Sequence, residues 1–278
     1  MIGTLALASG KGGVGKTVLA VSLGHALARA GARVLLVDAD LGLANVDVQL
    51  GLVEDRHLGR ALAERRPLAE MVVRDEATGL ALLLGPSGWR SLAQLEGEAL
   101  ERLAGEIEAL SREYDATLLD LPAGIGSRTL RLARLARRVL LVATPEPTAL
   151  TDAYALLKVG LKDHPGLGLV VNMAEHRADG ASAARTLATT ARRFLDRELP
   201  VLGIVRRDPR VPDAIARQRP LLARHPTAPA AADIEELARL LSSGERDARP
   251  ATRGAVGAGA RLRREPQVGW ARRGPPNI

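Results

Sequence analysis

The sequence predicts an α/β fold, a mostly parallel central sheet covered by helices on both faces. Short continuous apolar runs alternate with helix-period stretches, and a glycine-rich loop directly follows the first run. Continuous apolar runs are what strands buried on both faces look like. The first run, 2–8, leads into the glycine-rich loop, and Leu19, Leu23, Leu27 and Ala30 then keep the 3–4 spacing of a helix stripe. Gly31 stands where a helix C-cap glycine belongs. Further strands are expected at 33–37, 80–84, 116–119, 139–143, 168–171 and 201–205. Between the second and third of these, Leu92, Leu95, Ala99, Leu103, Ile107 and Leu110 mark another helix stripe. The pattern fails after about Ser242, where Gly, Pro and Arg dominate. One domain over 1–243 and a flexible basic tail over 244–278 are therefore expected.

Composition excludes several classes. With no cysteine among 278 residues, disulfides, thiolate zinc sites and iron–sulfur clusters are ruled out. His25, His57, His164, His176 and His225 are scattered, with no pair at metal-ligand spacing. Of the +7 formal charge, +6 falls in 249–278, where seven arginines meet Glu265 alone. The rest is nearly neutral, so a uniformly basic nucleic-acid face is not implied. There is no run of 18 apolar residues and no signal-peptide pattern at the start, and a cytoplasmic location is expected. Only four lysines occur, Lys11, Lys16, Lys158 and Lys162, and two of them share one loop.

That loop, Gly10-Lys11-Gly12-Gly13-Val14-Gly15-Lys16-Thr17, fits the phosphate-binding pattern G-x-x-x-x-G-K-[ST] between a strand and a helix. The fold is thus expected to be that of a P-loop NTPase. Glycines let successive N–H groups face phosphate oxygens, and the helix N-terminus adds favourable partial charge. Lys16 is placed to reach the β/γ-phosphates and the Thr17 hydroxyl to bind Mg²⁺, with Val18 next to them. Gly10, Gly12 and Gly15 also satisfy G-x-G-x-x-G, with Asp38 following 23 residues after Gly15. Lys16-Thr17 decides against that reading, because a dinucleotide pyrophosphate needs neither an ammonium nor a magnesium ligand there. Asp120 ends the fourth apolar run and suits a carboxylate holding Mg²⁺. Asp38 and Asp40 end the second run. Beside a phosphate loop, they are expected to serve the metal (Asp38) and the attacking water (Asp40), with loop solvation and helix capping as the alternative.

The string Lys11-Gly12-Gly13-Val14-Gly15-Lys16-Thr17 resembles the deviant Walker A loop of the MinD/ParA ATPases. Three further strings resemble the flagellar-number branch called FlhG, FleN or YlxH: 38–47 (DADLGLANVD), 144–155 (TPEPTALTDAYA) and 170–173 (VVNM). The resemblance covers roughly residues 2–241. It implies ATP and Mg²⁺ as cofactors and a homodimer sandwiching the nucleotide. Lys11 would then reach the phosphates bound by the second copy, Asn172 would hydrogen-bond the adenine, and Arg206 would lie in the loop flanking the base. It also implies slow, partner-stimulated hydrolysis, with an FlhF-like GTPase, a transcription activator or C-ring proteins as partners. The alternatives within the family are a MinD-like division-site ATPase and a ParA-like DNA or cargo partition ATPase. Leu121 departs from the family pattern, which carries Thr after the metal aspartate, and Arg206-Arg207-Asp208 stands where relatives often have Pro. Pro266 and the glycines of the tail oppose a regular membrane helix, leaving weak attraction of its arginines to anionic lipid.

Overall fold

A computed structural model describes residues 2–40, 44–85 and 95–243. The strands are β1 (Gly3–Ala8), β2 (Val34–Asp38), β3 (Val73–Asp75), β4 (Leu80–Leu83), β5 (Ala116–Asp120), β6 (Arg138–Ala143), β7 (Leu167–Ala174) and β8 (Val201–Arg206). The helices are α1 (Lys16–Arg29), α2 (Val46–Leu50), α3 (Leu58–Glu64), α4 (Gly97–Ser111), α5 (Ser127–Ala133), α6 (Pro147–Leu156), α7 (Arg177–Leu195), α8 (Arg210–Ala216), α9 (Leu221–Arg224) and α10 (Pro229–Ser242). Their sheet order is β3-β4-β2-β5-β1-β6-β7-β8, parallel throughout except for β3 against β4.

All seven expected strands form. The short β3, Val73-Arg74-Asp75, has no apolar run to announce it and exists by pairing with β4. β1 lies in the middle of the sheet, with β5 and β2 on one side and β6 to β8 on the other. The loop leaving β1 thus emerges where connections diverge to both sides, the crevice in which open α/β sheets place ligands.

Side-chain alternation divides the core into two layers. Leu5, Leu7, Val34, Leu36, Leu118 and Leu140 face α1 and α10, while Ala6, Ala8, Leu35, Val37, Leu119 and Leu141 face α4, α5, α6 and α7. α1 is buried nearly all round, beyond the single stripe its sequence suggests, because α10 packs on its outer side. Gly31 has φ +91° and closes α1: its N–H bonds Ala28 O at 2.9 Å and Ala32 N–H bonds Leu27 O at 3.2 Å. In α4 the buried stripe is Leu100, Leu103, Ala104, Ile107 and Leu110; the expected Leu92 lies outside the described residues. The tail from 244 onward also lies outside them.

Leu118 is fully buried in the central β5, whereas Val53 is fully exposed. Leu118→Ala is expected to cost about 2–5 kcal/mol and Val53→Ala no more than about 0.5 kcal/mol, measured by urea unfolding of the nucleotide-free chain.

Candidate functional site

The loop between β1 and α1 is shaped by its glycines. Gly13 and Gly15 have φ +79° and +82°, a left-handed backbone that residues with a Cβ adopt only at a cost. Beside Gly12 and Gly13 an added Cβ would meet nothing within 4 Å, so the middle of the loop faces open space. Gly10 and Gly15 are glycines for a different reason. A Cβ on Gly10 would lie 2.0 Å from the Asp152 carbonyl oxygen of α6, and one on Gly15 would lie 2.5 Å from Asn172 Nδ2. Gly15 precedes α1, whose free N–H groups therefore face the loop.

Lys16 opens α1 and is 9% exposed, Val14 is buried and Val18 half-buried. Thr17 Oγ1 donates to Asp120 Oδ2 at 2.6 Å. The other oxygen, Asp120 Oδ1, is buried and has no hydrogen-bond partner among the described residues. A buried carboxylate oxygen left unsatisfied beside a threonine hydroxyl fits a magnesium ion, which takes one or two protein oxygens and completes its shell with water and phosphate. No cluster of three or more His, Asp or Glu side chains able to hold a metal occurs among the described residues. The donor set is therefore too sparse for a structural metal and suits one arriving with its own phosphates.

Asp38, expected at the metal, is engaged by backbone donors. Its Oδ2 accepts from the backbone N–H groups of Asn45 and Val46 at 3.0 and 3.1 Å, and its Oδ1 from that of Asp40 at 3.2 Å. The carboxylate ties the end of β2 to Asp40 and to the start of α2. Asp38 and Asp120 face one another in register on neighbouring strands. Burial, with the Asp120 charge adding to it, pushes the Asp38 carboxyl up to about 8, against the pull of its three N–H donors. Burial raises Asp120 to about 6, opposed by Lys16 and by the Thr17 hydrogen bond.

Asn172 Nδ2 donates to the Val14 carbonyl at 2.8 Å, fixing the amide with its oxygen as the remaining acceptor. Met173 follows with φ +58° at an irregularity in the pairing of β7 with β8. Thr144, Pro145, Glu146, Met173, Glu175, Asp179 and Arg207 line a cavity of about 320 Å³ there. Arg206 does not line it: its guanidinium is held by Asp233 of α10 at 2.8 and 2.9 Å. Arg207, not singled out by the sequence, takes that place and pairs with Glu175 at 3.0 Å. Strand alternation explains the exchange, since neighbours at a strand end point to opposite sides.

Sequence reasoning also missed the partners of Lys11. Its Nζ lies 3.2 Å from Glu146 Oε2 and 3.0 Å from Thr148 Oγ1, both in the 144–155 string. Arg128, half-buried in the first turn of α5, lies within electrostatic reach of Asp40. It lies 88 residues from Asp40 in the sequence and in no periodic pattern, so there was no signal to find it by.

Comparison with known proteins agrees with this geometry. The family model described as the CobQ/CobB/MinD/ParA nucleotide binding domain matches residues 5–221. The chain belongs to the MinD/ParA nucleotide-binding family. Among its relatives, the antiactivator FleN of Pseudomonas aeruginosa is 36% identical over 248 residues, 88% of each chain. The flagellum site-determining protein YlxH of Helicobacter pylori is 33% identical over 241 residues, 86% of this chain and 81% of YlxH. The structure of the septum site-determining protein MinD of Pyrococcus horikoshii, complexed with Mg-ADP, matches with a TM-score of 0.72 at 27% identity, covering 84% of this chain and 93% of MinD. Residues of this MinD/ParA-family chain thus share the fold of a protein solved with Mg-ADP.

The raised carboxyls give a signed pH dependence. A carboxyl whose folded-state value exceeds its unfolded value of 3.8 favours the protonated folded state, so its contribution is intact at low pH and is lost as pH rises through the folded value. Between pH 5 and 8 the nucleotide-free, metal-free chain is therefore expected to lose Tm relative to Asp120→Asn. A gap between the two that widened in favour of the wild type with rising pH would contradict the assignment.

Proposed function

We propose that the chain is an ATP-dependent, dimerising switch that regulates the number or placement of flagella, hydrolysing ATP slowly to reset itself. One observation carries the nucleotide chemistry: a glycine loop holding Lys16 leads into Thr17, whose hydroxyl meets Asp120 beside that carboxylate's unsatisfied oxygen. In this reading Lys16 and the N–H groups of Gly12 to Thr17 bind the phosphates, while Thr17 and Asp120 hold Mg²⁺. Asp40 orients the attacking water on a segment organised by Asp38. Bound Mg²⁺ supplies charge neutralisation for the leaving phosphates. Asn172 offers its oxygen to the base and Lys11 is lent to the phosphates of a second copy.

The biological assignment is supported by FleN and YlxH, which match over most of their lengths. Partners of flagellar type, a GTPase, a transcription activator or C-ring proteins, belong to that reading. No helix among the described residues is long and apolar enough to cross a membrane, which accords with a cytoplasmic protein touching the membrane weakly if at all. The likeness to MinD favours a second reading as a division-site ATPase. Deleting the gene and counting flagella beside cell length separates them: altered flagellar number with normal division supports the first, and minicells with normal flagellation the second.

Lys16→Ala is expected to abolish ATP binding by calorimetry. Asp40→Ala is expected to bind ATP and accumulate as a dimer on a sizing column, with hydrolysis reduced at least tenfold. Lys11→Ala is expected to bind nucleotide and remain a monomer; a normal ATP dimer in that variant refutes the trans role.

A further inference from the structure

β8 ends on Arg206, and Arg207 directly after it lines the cavity of about 320 Å³. What holds this strand end comes from α10, a helix with no residue in the cavity wall. The Asp233 side chain of α10 is fully buried and serves two guanidinium groups at once. Its Oδ2 accepts from the Arg206 backbone N–H at 3.0 Å and from Arg206 Nε at 2.8 Å. Its Oδ1 accepts from Arg206 Nη2 at 2.9 Å and also from Arg177 Nη2. A carboxylate withdrawn so far from water depends on partners of opposite charge, so both arginines are committed to it.

The chain neighbours of these two arginines are walls of the cavity. Arg207 follows Arg206, Arg177 stands between Glu175 and Asp179, and all three neighbours line the space. A second strap runs the other way. Asp208, also buried, accepts from the N–H groups of Arg210 at 2.9 Å and of Ala230 in α10 at 3.4 Å. α10 thus grips the chain on both sides of Arg207 and leaves that side chain to project. The Arg207 and Glu175 side chains are 68% and 65% exposed, so their 3.0 Å ion pair is screened and holds the guanidinium only weakly.

We propose that Arg207 lays its guanidinium against the face of a bound purine, and that Asp233 is the positioning residue that aims it there. The proposal rests on the reading of the chain as an ATP-binding protein whose nucleoside enters this cavity. A planar, delocalised cation stacks on a flat π-system in a way that an ammonium does not. Arg206 cannot take this part, because it points to the other side of the strand end and its fork is spent on Asp233. Asp233 acts only through the two arginines.

A ligand with a base and one without it separate this role from a merely structural one. On the full chain with Mg²⁺, Arg207→Ala and Asp233→Asn are each expected to weaken ADP binding about threefold to tenfold by calorimetry. Both should leave the affinity for inorganic pyrophosphate unchanged, since the phosphate loop is untouched. Arg207→Lys, which keeps the charge without the plane, should not restore ADP affinity; full restoration overturns the stacking. The double substitution Arg207→Ala/Asp233→Asn is expected to cost no more than the larger single one, because both remove the same contact. Additive losses overturn the link between Asp233 and Arg207. An unchanged ADP affinity in either single variant overturns the proposal, as does an equal loss for ADP and pyrophosphate. Should Asp233→Asn not fold, Arg206→Met, which leaves Asp233 its Arg177 partner, is held to the same outcomes. A wild-type chain that binds neither ligand defeats the nucleotide reading itself.

Discussion

Two carboxylates buried in register on adjacent strands, Asp38 and Asp120, set the terms for everything at the C-terminal edge of the sheet. Among the described residues neither is paired with a guanidinium. Burying like charges side by side is costly, and each carboxylate is made tolerable by a different device. Asp38 is surrounded by three backbone N–H donors, which forces residues 44–46 to return to the end of β2. Asp120 has only the Thr17 hydroxyl and the nearby Lys16 charge, and one of its oxygens stays unsatisfied. The first arrangement is closed and structural. The second is open, and a divalent cation would complete it.

The phosphate loop shows how one glycine-rich string meets three separate demands. Gly13 and Gly15 supply left-handed backbone, and Gly12 and Gly13 have no neighbour where a Cβ would stand. Gly10 and Gly15 permit contact with α6 and Asn172 respectively. The loop is therefore clamped from both flanks by neighbouring elements while its centre faces open space. Rigid flanks and an empty centre keep the N–H groups pre-arranged, so binding does not have to order the loop.

Much of this was legible in the sequence because it follows from local chemistry. The apolar runs announced seven strands, and the spacing of Gly10 to Thr17 announced the loop, since each needs only residue types in order. What was not legible depends on which way a side chain turns once distant segments meet. Arg206 and Arg207 are equivalent in sequence, and only the placement of Asp233 on α10 decides which faces the cavity. Asp38 and Asp120 look alike as strand-ending acids, and the path of residues 45–46 gives Asp38 the backbone donors that Asp120 lacks. β3 escaped notice because its three residues carry a strand only by virtue of β4 beside them. The flagellar resemblance marked 144–155 without a reason; the contact with Lys11 supplies a physical one.

Base selection follows from the same principle of neighbours fixing orientation. A carbonyl can only accept, so the 2.8 Å contact of Asn172 with the Val14 carbonyl must use the amide nitrogen. The amide oxygen is then left as the group available to a base. In the proposed reading an adenine amino group would donate to it. The glycine at 15 makes this possible, since any Cβ there would push the Asn172 amide away from the loop. The orientation of the Asn172 amide is thus set by the phosphate loop itself, through a carbonyl two residues before Lys16.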